Sequence, residues 1–350
     1  MKDIKGLSLS FTYVGCFLGA GFVSGQELWQ FFACFGPIGL LGFLGMTFIF
    51  AYVNYCSLRL VQVTGVEDMG HMFTSGDRPR LRLVVSSMQC LLLFGVTIIM
   101  TAGAATLIHQ LIGLPLWLGG LLFTTLVVLV AMMGMHGLVA TFSLLVPVTT
   151  VCAVILGVVT LAKGNFQFAP PNGSVSALVP NWFIGFLTYA AYNLFGCVGV
   201  LVPLAKFIAE EKTVRKGLSI GSGLLIVLAW SIIAALAAQP AAGANDLPMA
   251  VLAGQLHPVL EVCYGLLMGF GMFSACLAAM TAAINQIAQR WRKAAVKHKP
   301  FTAIALYLAW ALSLLGFGNL IGVVYPIFGY ASVPFLICLV INWHRKKKTL

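Results

Sequence analysis

Residues 15–32 read GCFLGAGFVSGQELWQFF and interrupt the first apolar segment of the chain with glycines and polar side chains. The glycines lie at positions 15, 19, 21 and 25, and Ser24, Gln26 and Glu27 lie among and after them. Each glycine weakens a helix by about 1 kcal/mol relative to alanine. Unwinding frees backbone N–H and C=O groups, which hydrocarbon tolerates only where protein, ligand or water satisfies them. We therefore predict that the first helix is broken and that the break contacts a bound solute.

The composition requires a membrane around most of the chain. The chain has 350 residues, of which 60% are hydrophobic and 8% charged, and its mean hydropathy is +1.00. An ordinary soluble domain carries about 25% charged residues, so the lipid bilayer is the natural partner of this surface. The net charge of +11 comes from short basic clusters between apolar runs, which is typical of membrane topology signals and excludes a nucleic-acid partner. The nine cysteines form no CxxC pair, so no disulfide framework and no metal site is predicted.

Ten apolar segments are long enough, at about 20 residues each, to cross a bilayer. We predict spans at 7–34, 38–62, 83–112, 116–133, 138–162, 180–207, 215–238, 258–288, 301–318 and 321–343. With a cytoplasmic N-terminus, nineteen of the twenty Lys and Arg residues fall on the cytoplasmic side, and only Lys163 falls outside. This bias predicts a multi-pass protein of the inner (plasma) membrane with both termini in the cytoplasm.

The two halves of the chain resemble each other. Thr-Tyr pairs at 12–13 and 188–189 are 176 residues apart, about half the chain, and each opens a glycine-interrupted span. Five spans per half make the halves enter the membrane from opposite sides, as in the inverted repeats of secondary transporters. We predict one transporter domain over 1–350, with inverted repeats at 7–162 and 180–343. A second break is predicted in YNLFGCVG, residues 192–199, so helices 1 and 6 are both expected to be interrupted.

The stretch YVGCFLGAGFVSGQELWQFFACFGPIGL, residues 13–40, resembles the first helix of LeuT-type transporters in the amino acid–polyamine–cation superfamily. Its GAGFxSGQE wording is most similar to the bacterial YkvI-like membrane proteins. The resemblance implies a LeuT-like, all-α membrane fold with a solute pocket between spans 1, 3, 6 and 8. The candidate substrate-binding residues are Gly19, Ala20, Gly21, Ser24, Thr97, Thr101, Tyr192, Asn193, Phe195 and Gly196.

The resemblance leaves the coupling ion open between Na⁺ and H⁺, and no other cofactor is predicted. In sodium-coupled relatives the ion is held by carbonyls of the first break and hydroxyls of span 8. Here Gly271 and Ser274 lie in span 8, but Ala275 stands where a second hydroxyl is needed. Some proton-coupled relatives place a span 5 lysine at the ion position, whereas Lys163 lies at the outer end of span 5.

Two acidic residues, Glu27 and Glu261, fall within the predicted spans. An intramembrane carboxylate is costly and is by default a functional residue. Glu27 lies six residues beyond Gly21, about 9 Å along a continuous helix, so we expect it to face an outer vestibule and to exchange a coupling proton. The alternative is a structural hydrogen bond or a partner for the helix dipole. Glu261 is expected at the membrane interface.

These features predict a secondary transporter that moves a small polar solute by alternating access, with an amino acid or related zwitterion as cargo and a cation as coupling ion. The alternatives are a channel and a membrane sensor or partner subunit that binds solute without moving it. The glycines of the first span also have an alternative explanation, because small-xxx-small patterns serve the close packing of helices. The sequence contains no HExxH, phosphate loop or nucleophile elbow, so we predict that the protein is not an enzyme. The oligomeric state is not predicted.

Overall fold

In this computed structural model, residues 5–65, 72, 79–133, 138–163, 176–208, 210–290 and 298–347 are described. All secondary structure within them is helical, which confirms the predicted all-α class. The α-helices are α1 (Gly6–Phe17), α2 (Ala20–Ser24), α3 (Gln26–Phe31), α4 (Pro37–Thr64), α5 (Pro79–Ile112), α6 (Leu116–Met133), α7 (Leu138–Lys163), α8 (Trp182–Leu201), α9 (Glu211–Ala238), α10 (Pro240–Gly243), α11 (Pro248–Leu256), α12 (Pro258–Arg290), α13 (His298–Ser313) and α14 (Phe317–Lys347). Short 3₁₀ segments follow α3 at Ala33–Phe35 and α8 at Val202–Phe207.

The predicted break in the first span is confirmed. α1 ends at Phe17, and Leu18 leaves the helix with φ −77° and ψ 63°. The Gly19 N–H donates to the Phe17 carbonyl at 2.8 Å, which closes a three-residue turn instead of another helical turn. Gly19 is extended, and α2 begins immediately after it.

A second interruption, which the sequence analysis did not predict, separates α2 from α3. Gly25 has φ +85°, in the left-handed region that a residue without a Cβ adopts readily. Its Cα also packs closely, because an added Cβ would lie 3.1 Å from side-chain atoms of both Leu236 and Met249. The first span is therefore three helical pieces, and α3 does not continue the axis of α2.

The predicted break in the sixth span, around 193–199, is wrong. α8 runs uninterrupted from Trp182 to Leu201 and changes to 3₁₀ geometry only at Val202. Position 199 explains why glycine occurs without a break. A Cβ at Gly199 would lie 3.1 Å from the amide carbon of Gln89 on α5, so the missing side chain makes room for that amide.

The span count of ten is not confirmed by helix length and composition. Within the described ranges, seven helices are long and apolar enough to cross a membrane, and α1 and most of α6 are shorter apolar helices. The ninth predicted span, 301–318, corresponds to α13, which ends at Ser313, and α14 already begins at Phe317. The main packing pairs are α5 with α12, α8 with α14, and α1 with α9.

The outer surface of the helices is apolar, which fits a multi-pass membrane protein. Leu41, Phe48 and Leu91 expose 65%, 68% and 60% of their surface. An apolar surface of this extent is stable against lipid and not against water. Parts of the predicted loops lie outside the described residues, together with the basic residues Lys2, Arg78, Arg292, Lys293, Lys297 and Lys348. The inverted repeat of 7–162 and 180–343 stays a prediction.

Candidate functional site: a buried cavity at the helix break

A cavity of about 90 Å³ lies at the break between α1 and α2. The last turn of α1 and residues of α5, α8, α12 and α14 enclose it. Its polar side chains are few, namely Glu27, Tyr192, Asn193, Tyr325 and the thiols of Cys16 and Cys197. Among the described residues, no lysine, arginine or histidine lines the cavity. The site is therefore a small, largely apolar chamber with one acidic group.

Neighbouring side chains satisfy the backbone that the breaks set free. The Tyr264 hydroxyl, on α12, donates to the Val23 carbonyl at 2.9 Å. The Ser24 hydroxyl donates to the Gly21 carbonyl at 3.2 Å and accepts from the Gln26 N–H at 3.3 Å. Partners of this kind are what broken helices need inside a membrane. Ser24, a predicted substrate-binding residue, serves here to shape the break and is not one of the cavity-lining residues.

Glu27 reaches back into the cavity from α3. Its side chain is 2% exposed, and its Oε2 atom accepts a hydrogen bond from the Tyr192 hydroxyl at 2.9 Å. The same side chain fills the space beside Gly21, where an added Cβ would lie 2.6 Å from the Glu27 carboxyl carbon. The expectation that Glu27 faces an outer vestibule is wrong, because the turn at Gly25 redirects α3 and the rise of a continuous helix does not apply.

Two tyrosine rings stack beside the Glu27 carboxyl. Tyr192 on α8 and Tyr325 on α14 have ring centroids 4.3 Å apart with an interplanar angle of 9°, and both line the cavity. Tyr189, one turn before Tyr192, meets that ring edge-on at 5.4 Å. The sequence analysis missed Tyr325, since a tyrosine before a proline in the last span carries no signal that separates a cavity residue from a packing residue.

The structure brings half of the predicted substrate-binding set to the cavity or its edge. Gly19, Tyr192, Asn193 and Gly196 line it, and Gly21 contacts the Glu27 side chain. Phe195 is fully buried outside the lining, and its carbonyl accepts from the Gln89 amide at 3.4 Å. The side chain of Ala20 lies outside the described part of the structure.

The two predicted threonines of the third span bond within their own helix. The Thr97 hydroxyl donates to the Leu93 carbonyl at 3.0 Å, and the Thr101 hydroxyl donates to the Thr97 carbonyl at 2.9 Å. Neither is a lining residue, whereas Val96 and Met100 on the same helix are. This face of α5 therefore presents apolar groups to the cavity.

The predicted ion residues of the eighth span also lie away from the cavity. The Ser274 hydroxyl donates to the Phe270 carbonyl of its own helix at 2.9 Å. Neither Ser274 nor Gly271 belongs to the lining, which α12 supplies through Ala275, Ala278 and Ala279. The described face of α12 thus offers methyl groups, and no side-chain oxygen, to a cation in this cavity.

A second, more polar cavity of about 390 Å³ also borders α3. Gln26 and Gln30 line it from α3, and Asp246 lines it from the loop before α11. The Gln30 amide donates to the Gly318 carbonyl at 3.2 Å, which connects α3 to the start of α14. Partial burial raises the pKa of Asp246, and the Gly318 N–H partly opposes this. α3 thus contributes Glu27 to the break cavity and Gln26 and Gln30 to the more polar one.

A first span broken at Leu18 and Gly19, with a cavity enclosed by helices from both halves of the chain, defines a membrane protein of the LeuT-type fold. The crystal structure of MhsT in complex with L-phenylalanine superposes with a TM-score of 0.64 and 14% identity, over 98% of this chain and 89% of that one. A structure of the Eremococcus coleocola manganese transporter in complex with an aromatic bis-isothiourea substituted compound gives 0.51 and 15%, over 97% of this chain and 71% of that one.

Two sequence relatives match along nearly their whole length. The uncharacterized membrane protein YkvI of Bacillus subtilis (strain 168) is 27% identical over 359 residues, covering all of both chains. The uncharacterized protein YyaD of the same organism is 24% identical over 348 residues, covering 96% of each chain. No family model matches the chain. The resemblance to YkvI-like proteins and to LeuT-type transporters, inferred from residues 13–40, is confirmed.

Proposed function

We propose that the protein is a secondary transporter that moves a small polar solute across the inner membrane by alternating access, with both termini in the cytoplasm. The observation that carries the proposal is the cavity of about 90 Å³ at a broken first span, with a single carboxyl group facing into it. Discontinuous helices near the bilayer midplane are where secondary transporters bind their cargo.

The lining of this cavity favours a transporter over a channel. A channel needs a continuous polar lining through the membrane. Here the stacked rings of Tyr192 and Tyr325, 4.3 Å apart, adjoin the carboxyl group, and aliphatic side chains make up much of the remaining lining. The more polar cavity is lined by Gln26 and Gln30 of α3, the helix that also carries Glu27. One short helix thus contributes side chains to two cavities, which suits a carrier that opens each in turn.

We further propose that the coupling ion is a proton and that Glu27 carries it. Glu27 is the acidic residue of the cavity, and the alanines of α12 give a sodium ion no side-chain oxygen. A transition-metal cargo has less support, because no group of three His, Cys, Asp or Glu residues within the described ranges lies close enough to hold a metal ion. MhsT binds an amino acid in its crystal structure, so amino acids and related zwitterions belong in the first solute screen.

Purified protein in proteoliposomes tests the proposal. We expect saturable counterflow of one labelled solute from a pool of amino acids, amines and other small polar compounds. Solute binding without counterflow would replace the transporter with a sensor or partner subunit. Flux that does not saturate would replace it with a channel. Either result overturns the proposed function.

A further inference from the structure

We propose that the cargo of the break cavity is a small organic amine that carries a positive charge and no carboxylate, and that Glu27 is its counter-ion. This inference rests on the proposed function and assigns a substrate class to the same site.

The cavity already contains a carboxyl group, that of Glu27. The Glu27 side chain takes the space beside Gly21, at the start of α2, and only the absence of a Cβ there admits it. In a cavity of about 90 Å³, a carboxylate of the cargo would lie within a few ångströms of Glu27. Like charges at such distances destabilise each other strongly where water is excluded. The built-in acidic group therefore selects against cargo that brings its own.

Glu27 has no cationic partner within the part of the chain that the structure describes. The described lining contains no lysine, arginine or histidine. The Tyr192 hydroxyl, which donates to Glu27 Oε2 at 2.9 Å, is a neutral donor. A buried carboxylate with no opposite charge is costly. An ammonium group of the cargo would supply that charge, together with up to three hydrogen-bond donors.

Two tyrosine rings also belong to the cavity lining. Tyr192 and Tyr325 both line the cavity, stacked on one another beside the carboxyl group. Aromatic faces attract alkylammonium ions within about 6 Å of the ring centroid. The remaining lining is mostly aliphatic, including Leu92, Val96 and Met100, and suits the alkyl part of an amine.

The free volume guides the choice of probe. An apolar cavity of about 150 Å³ admits benzene, which has six carbon atoms, so a free volume of about 90 Å³ suits a probe of roughly four non-hydrogen atoms. Ethylamine, which has about three non-hydrogen atoms and so falls below this size, is a suitable probe. Ethanol is its neutral isostere, and acetate and glycine carry the carboxylate that the site is expected to reject.

The full-length protein, purified in lipid nanodiscs, is titrated with ethylammonium chloride, ethanol, sodium acetate and glycine, with sodium chloride as the salt control. Binding is measured by calorimetry and by the shift of the unfolding temperature, because a ligand stabilises the state it binds. We expect ethylamine to bind at least 10-fold more tightly than each of the other compounds. Equal or tighter binding of glycine, acetate or ethanol overturns the inference, and so does an absence of ethylamine binding.

The variant Glu27→Gln keeps the size of the side chain and an acceptor for the Tyr192 hydroxyl but removes the charge. We expect its affinity for ethylamine to fall at least 10-fold. Glu261→Gln is the matched control, because Glu261 accepts from the Gln110 amide at 2.7 Å outside the cavity lining, and it should bind ethylamine as the wild type does. Unchanged affinity in Glu27→Gln, or an equal loss in both variants, overturns the inference.

The wild-type ligand series decides the question even if Glu27→Gln fails to fold. The two proposals also fail separately. Counterflow of a zwitterion in proteoliposomes, without amine binding, would overturn the amine inference and leave the transporter. Ethylamine binding without counterflow would overturn the proposed transporter and leave the amine inference.

Discussion

Replacing Gly21 with alanine should disable the cavity, because the space beside this glycine holds the Glu27 side chain. An added Cβ would lie 2.6 Å from the Glu27 carboxyl carbon. Non-bonded carbon atoms prefer a separation of about 3.5 Å or more. The carboxyl group must therefore move by about 1 Å from its place beside Gly21, which changes its position in the cavity that Glu27 lines.

The displacement of the Glu27 carboxyl group determines how much stability and affinity the variant loses. A shift of about 1 Å lengthens the 2.9 Å hydrogen bond between Tyr192 and Glu27 beyond bonding distance. A buried polar group left without its partner costs about 1–3 kcal/mol, and overpacking costs about 1–3 kcal/mol. We expect Gly21→Ala to lower the free energy of unfolding by about 1–5 kcal/mol, which is the sum of these two costs less about 1 kcal/mol for the helix preference of alanine. Affinity for ethylamine should fall at least tenfold, since the carboxyl group no longer faces the cargo.

Two measurements check this reasoning, namely thermal unfolding of the purified protein and calorimetric titration with ethylamine. Gly45→Ala is the matched control, because a Cβ at Gly45 on α4 has nothing within 4 Å. The control should leave the affinity unchanged and should not lower the stability, because alanine favours a helix over glycine by about 1 kcal/mol. A Gly21→Ala protein with the stability and affinity of the wild type would refute the role assigned to this glycine. A protein that loses stability but keeps its affinity would reduce Gly21 to a packing residue.

Three further changes test other parts of the structure. If Glu27 carries the coupling proton, Glu27→Gln should keep counterflow at saturating solute, with a raised half-saturation concentration because the variant binds the amine more weakly, but should lose uptake driven by a pH gradient in the same proteoliposomes; loss of both at saturating solute would end that assignment. Gly199→Ala should lower the unfolding temperature, because its Cβ meets Gln89, whereas Gly196→Ala makes an ordinary contact at 3.8 Å and should not; equal unfolding temperatures would contradict the packing argument. Burial raises the pKa of Asp246 in the folded protein above that in the unfolded chain. The folded protein therefore loses stability as the pH rises from the unfolded-state pKa through the folded-state pKa. Asp246→Asn should therefore raise the unfolding temperature at neutral pH and leave it unchanged at acid pH. A lower unfolding temperature of the variant at neutral pH would show that the pKa of Asp246 is not raised by folding.

The position of the first break could be predicted because its cause is local. Glycines at 19 and 21 weaken the helix wherever the rest of the chain lies, and the helix does end at Phe17. Most helix bounds also follow local signals, as for α6, which has the predicted limits 116–133. Hydrophobic length alone determines where such a span begins and ends.

The sixth span shows why the same local rule fails elsewhere. Gly196 and Gly199 weaken α8 just as glycines weaken α1, yet α8 stays helical. The difference is a tertiary contact, because Gly199 lies against the amide of Gln89, a residue 110 positions earlier in the chain. Packing of this kind overrides intrinsic propensity, and no spacing within residues 192–199 reveals it.

The candidate site could be predicted in part for a similar reason. Gly19, Tyr192 and Asn193 were predicted from the resemblance to LeuT-type transporters, as residues at two helix breaks. Tyr192 and Asn193 line the cavity although α8 is continuous there. The direction of Glu27 was missed because it depends on one dihedral angle, the φ of +85° at Gly25. Tyr325 was missed because its role comes only from stacking on a ring of another helix.

The shortness of α2 has a consequence for how this region fluctuates. The helix has five residues, and a non-helical backbone adjoins it at each end. An isolated helix of this length does not persist in water, so α2 depends on outside contacts such as the bond from the Tyr264 hydroxyl to Val23. Its amide hydrogens should exchange with deuterium far sooner than those of α4, which has 28 residues. Rotation of the backbone at Leu18 and Gly25 reorients α2 as one piece, so the wall beside the Glu27 carboxyl can move while α1 and α3 keep their hydrogen bonds.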